Sequence, residues 1–164
     1  MLSVSEIVAK TEAMFDLFNH HFYNGELTHP AITVSPDGGC GAYGWCSVYE
    51  IWQSSGEAYR AINICAEYID RPIGEVAATM LHEMVHLYNL TYEIKDVSNN
   101  GYYHNKKFKE TAEAHPAHRA PRHLWLDDHD ADRRNRRMAG PAVRHGGYNR
   151  QPQNGAPDQN QGRR

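Results

Sequence analysis

Met80-Leu81-His82-Glu83-Met84-Val85-His86 is the stretch from which the rest of this chain is read. It carries H-E-x-x-H within a helical pattern. Val76, Met80, Met84 and Leu87 fall at i, i+4, i+8 and i+11, an apolar stripe that must pack on a sheet. Asp70-Arg71-Pro72 opens the helix, because Pro is favoured in a first turn and Glu75 suits the dipole there. The periodicity carries it to about Leu90. Four residues turn about 400° along a helix, so His82 and His86 project from nearly the same side and can reach one ion. Tetrahedral Zn²⁺ suits that geometry. Glu83 stands about 100° round from His82, near the ion but not aimed at it. From there a carboxylate can take a proton from metal-activated water.

With 11 His and 11 Glu in 164 residues, chance gives on the order of 0.05 such matches, so the pattern is informative. The bland alternative, a surface helix with two solvated imidazoles, sits badly with Met80 and Met84 flanking the pair. Two His leave zinc short of a third protein ligand. The next His is His104, in Tyr102-Tyr103-His104-Asn105-Lys106-Lys107-Phe108-Lys109 at the expected start of a third helix. The loop before it is long enough for the chain to reverse, so His104 is the expected third ligand. Its competitors are His115, His118 and His123, past a break in composition, and His20 and His21, which close the first helix. Glu93 falls at or past the end of the H-E-x-x-H helix.

From Ser5 to Tyr23 the residues Ile7, Met14, Phe15, Phe18 and Phe22 recur at helical spacing, with Asn24-Gly25 as the stop. Ala31 to Ser35 reads as a strand ended by Pro36-Asp37-Gly38-Gly39. Ala42 to Trp52 and Tyr59 to Ala66, separated by Gln53 to Glu57, predict an antiparallel hairpin beside it. Asn105 to Ala114 predicts a short third helix with Phe108 and Ala112 inward. The order α-β-β-β-α-α gives an α+β fold with a small three-stranded, antiparallel-type sheet.

A mean hydropathy of -0.73 and 40% hydrophobic residues exclude a spanning helix, which needs ~20 apolar residues. The opening MLSVSEIVAK lacks the basic end and apolar run of a secretory signal, so the expected compartment is the reducing cytoplasm. Cys40, Cys46 and Cys65 form no C-x₂-C pair and read as small buried hydrophobes.

Net charge is -3, yet residues 1–115 hold 7 Lys/Arg and 15 Asp/Glu, or -8, whereas residues 116–164 hold 10 and 5, or +5. All ten basic residues of the second segment are Arg. A domain over 1–115 followed by an Arg-rich, disordered tail over 116–164 is the expected organisation. The tail reads either as an arm adding weak, salt-sensitive nucleic-acid affinity or as the product of a shifted reading frame.

Phe18 to Leu27 (Phe-Asn-x-x-Phe-Tyr-Asn-Gly-Glu-Leu), Pro30 to Ser35, Met80 to His86, and His104-Asn105-x-x-Phe108-Lys109 occur in an order that resembles the SprT-like zinc metallopeptidases, over about Val4 to His115. The resemblance implies a zincin-like fold, His82, His86 and His104 as metal ligands, Glu83 as catalytic acid/base, and an intracellular peptidase. The wider family includes Spartan-like proteases that digest proteins crosslinked to DNA, which makes DNA-associated substrates an expectation. The downstream C-x₂-C zinc ribbon of some relatives is missing, and the charge of -8 opposes tight DNA binding by this domain.

The expected chemistry is metal-assisted hydrolysis of a peptide bond, with Glu83 moving the proton from water to the leaving amine. Tyr102 or Tyr103 is a candidate donor to the oxyanion. A strand within Tyr43 to Trp52 is a candidate partner for an extended substrate. The competing readings are a regulator-cleaving protease of a phage or mobile element and a zinc-stabilised module without catalysis.

Overall fold

Ser3 starts the first helix by a reciprocal cap. Its Oγ accepts the Glu6 N–H at 3.3 Å, and a Glu6 carboxylate oxygen accepts the Ser3 N–H at 2.7 Å. Helix α1 (Val4–Tyr23) ends where Asn24 turns left-handed at φ 53°. The computed structural model describes residues 2–36, 41–98 and 103–115. The tail over 116–164, and with it the expected disorder and domain boundary, lies outside the described residues, as do Cys40 and Tyr102.

Strands β1 (Ala31–Ser35), β2 (Gly44–Cys46), β3 (Trp52–Ser54), β4 (Glu57–Tyr59) and β5 (Ala61–Cys65) follow. After a 3-10 turn at Ala66–Tyr68 come α2 (Ile73–Thr91), β6 (Val97–Ser98), β7 (Tyr103–His104) and α3 (Lys106–Ala114). The fold is α+β.

The main sheet has three strands as expected, but it is mixed rather than antiparallel. Its order is β1-β5-β2, with β5 parallel to β1 and antiparallel to β2. Burial explains the order, because all five residues of β5 are buried and such a strand takes the centre of a sheet. Since β2 runs against β5, the return of the chain aligns β5 with β1. Asn63 fixes the register from within. Its Oδ1 accepts hydrogen bonds from Thr33 Oγ1 at 2.7 Å and Ser35 Oγ at 2.8 Å, both on β1.

The two long strands of the expected hairpin are each broken. The Ser47 N–H donates to Ala61 O, but the returning Ala61 N–H donates to the Ser47 side-chain oxygen, each at 2.8 Å. Ser47 Oγ also donates to Tyr49 O at 2.8 Å, so the hydroxyl replaces a backbone partner and turns the chain out of the sheet. β3 and β4 then pair as a separate ribbon, closed by Ser55 and Gly56 at φ 54° and 85°. Positive φ at both turn residues is the hairpin geometry that matches strand twist.

Helix α1 packs on β1, and α2 on β2 and β5. Phe15 and Tyr23 from α1, Ile32, Ile62 and Ile64 from the sheet, and Val76, Met80, Met84 and Leu87 from α2 share one core. The whole predicted stripe is therefore inward. Each such side chain contributes roughly 1.5–3 kcal/mol on burial, more than helix propensities differ. Packing thus orients α2 about its axis and so decides where His82 and His86 point.

Gly44 lets β2 approach α2. A Cβ there would lie 2.8 Å from the Asn63 carbonyl oxygen, 2.9 Å from Thr79 Cγ2 and 3.4 Å from Glu83 Cγ. The first neighbour is backbone within the central strand and cannot rotate away. Gly44→Ala should therefore destabilise by about 1–3 kcal/mol, read as a lower denaturant midpoint; an unchanged midpoint would show that the strand can retreat without cost.

Candidate metal centre

Two elements meet to form the site. Helix α2 carries His82 and His86, and the chain beyond it folds back as the β6–β7 ribbon, pairing Val97 with His104 and Ser98 with Tyr103. His104 is thus the last residue of β7 rather than the start of a helix as expected. Asn105 fixes this corner. Its N–H donates to Asp96 O and its Nδ2 to Lys95 O, each at 2.8 Å, while its Oδ1 accepts the N–H groups of Lys107 and Phe108 to cap α3.

His82, His86 and His104 come together so that one ring nitrogen from each lies within 4.8 Å of the others. His86 Nε2 and His104 Nε2 face each other at 3.0 Å. Zinc–nitrogen bonds of ~2.0–2.1 Å in a tetrahedron place two nitrogens about 3.3 Å apart, so the His86–His104 separation and the all-imidazole donor set suit such an ion. Phe108 of α3 packs against all three rings, at centroid distances of 4.9, 4.8 and 4.1 Å from His82, His86 and His104. Val85 and Ala112 join it in a small apolar cluster that docks α3 on α2.

The electrostatics favour a neutral His82. Loss of solvent around His82, together with His86 and His104 beside it, holds its pKa well below the usual imidazole value. A neutral ring keeps a lone pair for a metal. Next to it, Glu83 is buried, its Cγ 3.4 Å from where a Cβ on Gly44 would stand. Burial pushes the Cys46 thiol pKa up, and Glu83 adds to that, so this thiol stays protonated. It belongs to no metal-binding cluster among the described residues. Cys65 is fully buried, and Cys46 is half-buried against the main core.

The competing ligands have other places. His20 and His21 are exposed at the end of α1, ring against ring at 5.3 Å. His115 stacks on Tyr23 at 4.6 Å and hydrogen-bonds Phe22 O at 3.1 Å. Glu93 lies past α2, exposed, at φ 55°. His118 and His123 lie outside the described residues.

The sequence matches the SprT-like family over residues 11–123, most of the chain. This chain belongs to the SprT-like family. No curated protein and no solved structure matches it. The SprT-like match spans the H-E-x-x-H helix, His104 and α3 together. Among the described residues no helix is long and apolar enough to cross a membrane.

Sequence reasoning missed the groups behind the ligands. Asp96 Oδ2 lies 2.7 Å from His86 Nδ1 and accepts Asn89 Nδ2 at 3.0 Å, while Asn89 Oδ1 accepts Thr111 Oγ1 at 2.7 Å. Burial alone would raise the Asp96 pKa, but the hydrogen bond and charge of His86, with the Asn89 amide, hold it below the usual carboxylate range. One signal was present. Asn89 continues the His82, His86 row at i+7, a polar residue on a line pointing inward. Asp96, in a polar loop without periodicity, offered none.

Proposed function

We propose that this chain is a zinc metalloendopeptidase that hydrolyses peptide bonds in cytoplasmic proteins, DNA-associated ones among them. The observation that carries the reading is the convergence of His82 and His86 from α2 with His104 from β7, beside a buried Glu83. The three imidazoles would hold the ion. When bound, zinc supplies Lewis acidity, which makes a water nucleophilic near neutral pH and polarises a carbonyl.

The residues do the rest. Glu83 takes the proton of the attacking water on a carboxylate oxygen and returns it to the departing amine nitrogen. Partial desolvation strengthens this exchange, because a buried carboxylate has few competing waters. β2 is an edge strand of the main sheet and lies against α2 at Glu83. An extended substrate is proposed to pair with it, which would set a peptide bond near that carboxylate. The Arg-rich segment over 116–164 is proposed to add only weak nucleic-acid affinity, lost as salt rises.

The test uses the full chain with one equivalent of Zn²⁺ and a denatured, fluorescently labelled polypeptide. Cleavage that stops with a chelator and returns with added zinc is expected. Zinc bound at one equivalent with no cleavage would point instead to a zinc-stabilised binding module.

A further inference from the structure

His86 is gripped from behind. Its Nδ1 lies 2.7 Å from Asp96 Oδ2, the short distance of a charge-assisted hydrogen bond. With the proton on Nδ1, the lone pair belongs to Nε2, the atom that faces His104 Nε2 at 3.0 Å. Asp96 is itself held. Its carboxylate accepts Asn89 Nδ2, Asn89 accepts Thr111 Oγ1, and Asp96, Asn89 and Thr111 are all buried. Its backbone carbonyl accepts the N–H of Asn105, the residue after His104. One residue therefore touches the region of both elements that supply ligands, through its side chain on α2 and its main chain beside β7.

We propose that Asp96 is the positioning residue of the metal centre: it fixes the tautomer and ring plane of His86 for coordination through Nε2, and Asn89 and Thr111 extend that constraint to α3. The inference rests on the metal-centre reading above. Asp96 acts through His86, so its contribution is to metal affinity. An ionised acceptor raises the basicity of the ligating imidazole as well as aiming it, and neutral acceptors do the second without the first.

Asp96→Asn separates the two. The amide oxygen is the same size and can still accept the Nδ1 proton, but the charge is gone. Zinc affinity, measured by competition with a chromophoric chelator, should fall by about 10–100-fold, while the zinc-free variant keeps the circular dichroism of the parent. Asp96→Ala, which removes the acceptor as well as the charge, should lose at least as much, and affinity within about twofold of the parent in that variant would overturn the proposal. A second measurement needs no variant: the imidazole ¹⁵N shifts of the wild-type protein should show the His86 proton on Nδ1 and, with zinc, coordination through Nε2. Coordination through Nδ1 overturns the proposal even if Asp96→Asn does not fold. A wild-type chain that binds no zinc would overturn the metal-centre reading itself, and this inference with it, so the two failures are told apart.

Discussion

Glu83→Gln is expected to retain zinc and to lose peptide cleavage by roughly 10²–10⁴-fold, the range for removing a general base. The substitution is chosen by the packing. Glu83 is 6% exposed, with its Cγ facing Gly44 of β2 at 3.4 Å from where a Cβ there would stand, so an isosteric amide keeps the side chain in place where Ala would leave a gap between β2 and α2. Gln keeps hydrogen-bonding capacity but cannot take a proton from water near neutral pH. The three imidazoles are untouched, so zinc affinity and the zinc-dependent rise in melting temperature should match the parent. Turnover on a denatured polypeptide, with zinc stoichiometry measured on the same sample, checks this. Unchanged cleavage with one zinc bound would remove Glu83 from the reaction and leave the ligands in place.

The candidate metal site was legible where it follows helix geometry. The spacing of His82 and His86 and the stripe of Val76, Met80, Met84 and Leu87 are local facts, and packing that stripe aims the imidazoles. His104 could be nominated because a long loop allows return, although its place on β7 depends on pairing with Val97 that no local pattern encodes. The parallel β1–β5 pairing was not legible for a different reason. It follows from which strand is buried on both faces, and Ala61 to Cys65 reads locally like any apolar strand. Ser47 shows the same limit at one residue: a hydroxyl in a strand-like run gives no sign that it will replace a carbonyl in the ladder. Asp96 is the extreme case, a loop carboxylate whose importance lies wholly in what folds over it.

Zinc should raise the melting temperature of the full chain substantially, and His104→Ala should abolish most of that rise. Ligand present at about 100 times its dissociation constant stabilises by ~2.7 kcal/mol. At roughly 4–8 °C per kcal/mol for a domain near 100 residues, the shift is on the order of 10 °C or more. His104 is the decisive ligand because His82 and His86 lie on one helix, and an ion held by that pair alone would tie nothing to β7 or α3. The zinc-free baseline also depends on pH. Because the folded His82 pKa is lowered from 6.5, the unfolded chain binds more protons there. Stability associated with keeping His82 neutral in the fold is therefore present above about pH 6.5 and declines as the pH falls below it. Melts at pH 7.5 with and without zinc measure the metal contribution alone, and a series down to pH 5.5 in chelator reads the imidazole contribution. A zinc shift in His104→Ala as large as the parent's would place the third ligand elsewhere in the chain, whereas its loss together with that of cleavage would make the β6–β7 return part of the active metal centre.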